Sequence, residues 1–273
     1  MVSKHLTLTA IRQFNPNRDL DDHVAFGRWF GPLEQHPHLG NAYLQHPEVF
    51  ELAASKGGIA DEWHTDLTFL EQPSVLSILN MVRCADAGGD TMWSNMVLAY
   101  EGLPRTIKDQ IEGLIASHSI QSTFGAALPI EKRLAMKATY PDAEHPVVWV
   151  HPATGRKCLY VSEGYTTRIV GMPEEEGRAL LQELTAHCTR PEFTYRHAWR
   201  DHDLVVWDNL ATMHRSTPFE DQKYRRELRR ILRLLLVPFF VVEVLYYVKT
   251  EEEVHRVAAL LTFMPAAPAQ GAA

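Results

Sequence analysis

The chain has 273 residues, a formal net charge of −7, 45% hydrophobic residues and 22% charged residues. That length suits one large β-rich domain or two small ones, with a core that needs no disulfide or structural metal. Mild acidity without a basic stripe argues against a nucleic-acid partner, and three scattered cysteines (Cys84, Cys158, Cys188) without a CxxC pair make neither a disulfide framework nor a zinc ribbon.

In chain order, the N-terminus has no apolar signal core, and a reducing cytoplasm is the expected setting. Residues 21–31 predict a short amphipathic helix ending at Gly31, with Phe26, Trp29 and Phe30 on its apolar side. Residues 46–57 predict a second short helix. Val75 to Val82 reads as a strand, Ala87-Gly88-Gly89-Asp90 as a turn, and Thr91 to Trp93 as the start of another strand. Residues 95–116 read as helical, with an interruption near Pro104.

The second half repeats the style. Val147 to Val150 and Leu159 to Val161 predict strands around the turn Pro152 to Gly155. Pro173 to Cys188 is the clearest helix, with proline in its first turn, acids following, and Ala179, Leu180, Leu184 and His187 at helical spacing. Phe193 to Trp199 alternates, and Asp203 to Asp208 reads as a short buried strand. Ile231 to Val248 is the most apolar run, but Arg233, Pro238 and Glu243 interrupt it, and it is short for a bilayer crossing of ~20 residues. It reads as buried strands, so no membrane partner is expected. The segment 263–273 is Pro/Ala-rich and predicts a disordered tail behind a single domain over 1–262. Many short strands with few helices predict a mainly β fold with α elements: a jelly roll with flanking helices.

Chemistry concentrates at Glu62-Trp63-His64-Thr65-Asp66. His64 and Asp66 are two apart, so in extended backbone both side chains leave one face and can chelate one ion. A second imidazole must come from elsewhere, and His214, far along the chain, is the best candidate. Two imidazoles and a carboxylate on one face leave open positions, the arrangement favoured by non-haem Fe(II) oxygenases. Two of those positions suit a bidentate 2-oxo acid and the third dioxygen. After His214 comes the basic cluster Tyr224-Arg225-Arg226-Glu227-Leu228-Arg229-Arg230. A guanidinium there can clamp the far carboxylate of 2-oxoglutarate with paired hydrogen bonds. Arg226 and Arg230 read as a solvated charged face.

Five segments together, 25–37 (AFGRWFGPLEQHP), 62–79 (EWHTDLTFLEQPSVLSIL), 88–103 (GGDTMWSNMVLAYEGL), 145–161 (HPVVWVHPATGRKCLYV) and 205–218 (VVWDNLATMHRSTP), resemble the taurine dioxygenase / 2,4-dichlorophenoxyacetate dioxygenase family, including its aryloxyalkanoate-cleaving branch. The resemblance implies a double-stranded β-helix, cupin-like, with flanking helices and the outer N-terminal strands truncated. It implies Fe(II) held by His64, Asp66 and His214, and 2-oxoglutarate as co-substrate, contacted by Thr91 and by Arg225 at its C5 carboxylate. It also implies a small anionic substrate, a sulfonate, alkyl sulfate or aryloxyalkanoate, facing Arg229 and His36. Ala60 stands where taurine enzymes carry a substrate-touching asparagine, so taurine itself is not the expected substrate. An exposed sheet edge leaves a homo-oligomer open. Two alternatives stay open: a non-catalytic member that binds metal or a partner without turnover, and a zinc hydrolase using the same triad, which leaves the arginines and the GGDT turn unexplained.

Overall fold

The computed structural model describes residues 8–11, 20–28, 30–35, 43, 45–53, 60–123, 128–220, 223–224 and 226–233. The expectations for Trp29, His36, Arg225, the apolar run beyond Arg233 and the 263–273 tail fall outside the described residues. Every strand pairing among the described residues is antiparallel. No helix among them is long and apolar enough to cross a membrane.

The largest sheet contains β1 (Leu8–Ile11), β2 (Leu33–Glu34), β3 (Phe50–Ala53), β4 (Leu76–Arg83), β12 (Leu204–Asp208) and β14 (Glu227–Arg233), in the order β1-β12-β4-β14-β2 with β3 also on β14. A three-stranded sheet, β11-β5-β13, is built from β5 (Thr91–Asn95), β11 (Thr194–His197) and β13 (Thr212–Ser216). A third sheet, β10-β6-β7, joins β6 (Ile115–His118), β7 (Ala143–Pro146) and β10 (Thr166–Ile169), and β8 (Val148–Val150) pairs with β9 (Lys157–Leu159). Among the described residues five helices flank these sheets: α1 (Leu20–Arg28), α2 (Met96–Glu101), α3 (Arg105–Ile111), α4 (Ile130–Thr139) and α5 (Glu174–Cys188).

Alternation along the strands decides which side chains meet. Register pairs Val205 with Leu79, Trp207 with Ser77, Leu228 with Met81 and Arg230 with Leu79, so these side chains share one face of the large sheet. That face packs Leu79, Met81, Val205, Trp207 and Leu228 against Trp93 of β5, with the Trp93 and Trp207 ring centroids 5.5 Å apart. The opposite face presents Leu76, Ile78, Leu204, Val206 and Ile231 to Val24 and Phe26 of α1. This is a jelly-roll sandwich with a helix laid on its outer face. The clearest predicted helix forms as α5, with Glu174, Glu175 and Glu176 in its first turn and Leu180, Leu184 and Cys188 buried at one helical spacing.

Two elements differ from expectation. The predicted helix over 46–57 contains a strand instead, because Phe50–Ala53 finds an antiparallel partner in β14 that local propensity cannot anticipate. The predicted helix over 95–116 stops at Ile111. Gly113 takes φ +78°, a left-handed turn, and Ile115–His118 continues as a strand between β7 and β10.

Candidate metal centre

His64 and His214 lie directly opposite each other in an isolated antiparallel bridge. The His64 N–H donates to the His214 carbonyl at 3.0 Å and the His214 N–H to the His64 carbonyl at 2.7 Å. Their ring centroids are 4.2 Å apart. Asp66 is not on the extended face expected for it. The chain leaves the bridge after His64 and turns at Asp66, and Leu67 takes a left-handed φ of 57°. The carboxylate nevertheless reaches both imidazoles, with Oδ1 3.7 Å from His64 Nε2 and Oδ2 3.8 Å from His214 Nε2. One ligand atom from each of the three residues lies within 4.8 Å of the others, and all three residues are buried.

The protonation states favour a cation. His64 Nδ1 contacts the Glu62 carbonyl at 2.8 Å, which requires the proton on Nδ1 and leaves the Nε2 lone pair toward Asp66. Burial lowers the pKa of His64 despite the nearby Asp66 carboxylate. Burial and the adjacent His64 lower that of His214 further, so both rings are neutral and can offer a lone pair to a metal. Burial would raise the Asp66 carboxyl. Arg230, the two imidazoles and the Ser77 hydroxyl outweigh it and hold the group well below the usual carboxylate range. Ser77 Oγ donates to Oδ2 at 2.9 Å and Arg230 Nη1 to Oδ1 at 2.5 Å.

Arg226 and Arg230, read from the sequence as solvated, are buried, 8% and 7% exposed. Alternation is the reason. Leu228, Arg230 and Leu232 lie on the inner face of β14, and the intervening Arg229 lies on the outer one, where its Nε donates to the Tyr43 hydroxyl at 3.2 Å. The Arg230 guanidinium sits over the rings of Trp207 and Phe50, 5.5 and 5.9 Å from their centroids, and its Nη2 lies 3.3 Å from His214 Nε2. Just before the strand, Arg226 Nε donates to the Gly89 carbonyl at 2.9 Å and Nη2 approaches Thr91 Oγ1 at 3.4 Å. Thr91 is buried and accepts from Trp199 Nε1 at 2.8 Å. Burial and the neighbouring Arg230 lower the Arg226 pKa to about 10, so it stays charged at neutral pH.

The two glycines of the GGDT turn have a steric purpose. Both have left-handed φ, +74° and +69°. A Cβ on Gly88 would come within 2.6 Å of the Pro218 carbonyl oxygen, and one on Gly89 within 3.0 Å of Arg226 Cδ. Their absence of side chains lets the Arg226 stem run along the turn to Thr91. The signal for Arg226 and Arg230 was present in the sequence: Leu228 and Leu232 mark the buried parity of this strand, and both arginines share it.

The ligand atoms fit a divalent iron. Two neutral imidazole nitrogens and one ionised carboxylate form the donor set of a facial triad, and Arg226, a buried cation near Arg230, is of the kind that grips a carboxylate.

Comparison with known proteins agrees with this geometry. Residues 5–232 match the family described as "Taurine catabolism dioxygenase TauD, TfdA family". An alkylsulfatase of Acinetobacter baylyi is 37% identical over 215 residues, covering 76% of this chain and 66% of that protein. An alpha-ketoglutarate-dependent 2,4-dichlorophenoxyacetate dioxygenase of Cupriavidus pinatubonensis is 35% identical over 233 residues, covering 78% of this chain and 80% of the relative. The crystal structure of AAD-2 in complex with Mn(II) and N-oxalylglycine superposes with a TM-score of 0.72 at 28% identity, covering 85% of this chain and 84% of that one. From a buried two-histidine, one-carboxylate centre on a jelly roll and a match over most of its length, this chain belongs to the TauD/TfdA family of dioxygenases.

Proposed function

We propose that this chain is an Fe(II)- and 2-oxoglutarate-dependent dioxygenase acting on a small organic anion, with His64, Asp66 and His214 as the iron ligands. The carrying observation is the combination of that triad with Arg226. This guanidinium is buried and has a carbonyl and a hydroxyl as partners, but no carboxylate among the described residues. A buried cation that feels Asp90 only through space, with no carboxylate in contact among the described residues, is costly, by several kcal/mol. A dicarboxylic co-substrate that reaches from the metal to Arg226 and the Thr91 hydroxyl removes that cost.

Iron and 2-oxoglutarate, when bound, supply the oxidising chemistry: one oxygen atom of O2 enters a substrate C–H bond, the other goes to succinate, and CO2 is released. The side chains bind and orient. Arg226 and Thr91 hold the far carboxylate. The Glu62 carbonyl fixes the His64 ring through Nδ1–H, and Ser77 with Arg230 fixes the Asp66 carboxylate. Phe50, Trp93 and Trp207 wall the site and exclude water, which strengthens each charged contact. Arg230, whose Nε has no partner among the described residues, is the cation we assign to the substrate's anionic group, in place of the outward-facing Arg229. The alkylsulfatase and 2,4-dichlorophenoxyacetate relatives support an alkyl sulfate or an aryloxyalkanoate. Hydroxylation of the carbon bearing the sulfate or aryl ether oxygen gives an unstable adduct that releases sulfate or a phenol. Three free thiols suit a cytoplasmic setting.

The test is succinate formation from 2-oxoglutarate under air, with and without Fe(II), across alkyl sulfates, aryloxyalkanoates and sulfonates. At least one substrate is expected to give succinate and its own cleavage product in equal amounts, and His64→Ala to abolish both. Full coupled turnover by His64→Ala would refute the ligand assignment.

A further inference from the structure

The Asp66 carboxylate is aimed by a backbone conformation that leucine does not favour. Leu67 has φ 57°, where its Cβ crowds the backbone, and only glycine, asparagine and aspartate visit that region readily. Such a residue persists where its surroundings over-determine it. Here the Leu67 side chain is 1% exposed, packed with Phe50, Phe69, Ile120 and Tyr165. The Leu67 carbonyl accepts from the Leu70 N–H at 3.0 Å, closing the turn.

The turn is then gripped from a sheet that supplies no metal ligand. His145, on β7, has Nε2 2.8 Å from the Thr68 carbonyl and 3.0 Å from the Leu70 carbonyl. Carbonyls only accept, so Nε2 carries the proton and one N–H is shared between two acceptors on either side of the bend. His118, on the neighbouring β6, places Nδ1 3.0 Å from the Thr68 hydroxyl, and its ring centroid is 5.2 Å from that of His145. Both histidines are buried, 0% and 3% exposed, and the contact to the Thr68 carbonyl is buried too, so without His145 that carbonyl is left without a partner.

We propose that His145 is a positioning residue for the metal centre: its shared Nε2–H holds Leu67 in the left-handed turn, and the turn presents Asp66 to His64 and His214. This inference rests on the metal-centre reading above, but assigns the work to a residue outside the triad. Removal of the grip lets Leu67 relax to a negative φ and swings the preceding carboxylate off the imidazoles. Glycine at position 67 has no such drive, so it keeps the turn without the grip.

The experiment titrates the purified chain with Mn(II), following loss of the free-ion EPR signal, with circular dichroism as the check on folding. His145→Leu is expected to weaken Mn(II) binding about tenfold or more, the scale seen when groups behind a metal ligand are removed. His145→Gln, whose amide can still donate, recovers most of it. In the His145→Leu background, Leu67→Gly restores affinity to within about threefold of the parent, whereas Leu67→Ala, which loses the same side chain but keeps a Cβ, does not. Equal affinities for the glycine and alanine versions, or no change in His145→Leu, overturn the inference alone. If His145→Leu does not fold, His145→Phe, which keeps a ring but loses the donor, takes its place, and the same glycine–alanine pair in that background decides: weaker binding with Leu67→Ala than with Leu67→Gly supports it, and equal binding overturns it. An unaltered chain that binds no Mn(II) removes the metal-centre reading itself.

Discussion

Arg226 and Arg230 are buried near each other, and electrostatics separates their tasks. Arg230 already has a carboxylate partner in Asp66, and its flat faces rest over Phe50 and Trp207. Arg226 has only neutral acceptors, so a bound dianion gains most from it. A charge-assisted hydrogen bond is worth about 1.5–3 kcal/mol, so Arg226→Leu is expected to raise the KM for 2-oxoglutarate by roughly 10–150-fold. If Arg226 is the co-substrate clamp, Arg225→Leu is expected to change it by less than about threefold. Initial rates of succinate formation across a 2-oxoglutarate series measure both. The opposite ranking would mean that Arg225, not Arg226, holds the co-substrate.

At the scale of elements, the centre depends on two turns being locked together. Asn209, 0% exposed in the turn between β12 and β13, accepts from the Asp66 N–H at 3.1 Å. It donates to the Asp66 and Ser74 carbonyls at 2.9 and 2.8 Å. The neighbouring Asp208 accepts from the Leu210 and Ala211 N–H groups and meets His151 Nε2 at 2.8 Å, so the turn leading to His214 is held as well. Asn209→Leu would leave one N–H and two carbonyls buried without partners. At about 1–3 kcal/mol per orphaned group, with partial relaxation, a loss of about 2–4 kcal/mol is expected in urea unfolding. A loss below about 1 kcal/mol, the typical value for a single point substitution, would show that the two turns hold their shape independently.

For the molecule as a whole, buried neutral histidines set the acid limit. Burial, with Arg229 nearby, lowers the His23 pKa from 6.5 to about 3, and burial beside His145 does the same for His118. Between those values the unfolded chain binds protons that the folded chain refuses. Their contribution is therefore fully present above the unfolded pKa and is lost as pH falls toward the folded one. Each histidine steepens the loss by up to about 1.4 kcal/mol per pH unit. Among the described residues both ring nitrogens of His23 lack partners, and the residue is 3% exposed, so leucine removes the titration without leaving a polar group unmet there. His23→Leu should gain about 2 kcal/mol over the parent at pH 5 relative to pH 8, measured by urea midpoints. An unchanged pH slope would exclude His23 as a source of acid sensitivity.

How much of this was legible beforehand follows from the range of each cause. The sequence by itself carried whatever depends on near neighbours: helix α5 from its periodicity, the glycine turn before Thr91, and the residue types able to hold iron at positions 64, 66 and 214. It also carried the arginine-rich run after His214, but read Arg226 and Arg230 as a solvated face, and both are buried. Only tertiary structure decided which of these side chains face inward. A strand's faces are assigned by its pairing partners, here β3 and β4 far away in the chain, and a one-residue shift exchanges inside for outside. The same holds for the strand at Phe50–Ala53, and for the left-handed turn that aims Asp66. Local preferences oppose that turn, and the contacts around it, from His145, His118 and Asn209, are made by residues that meet it only when the chain is folded.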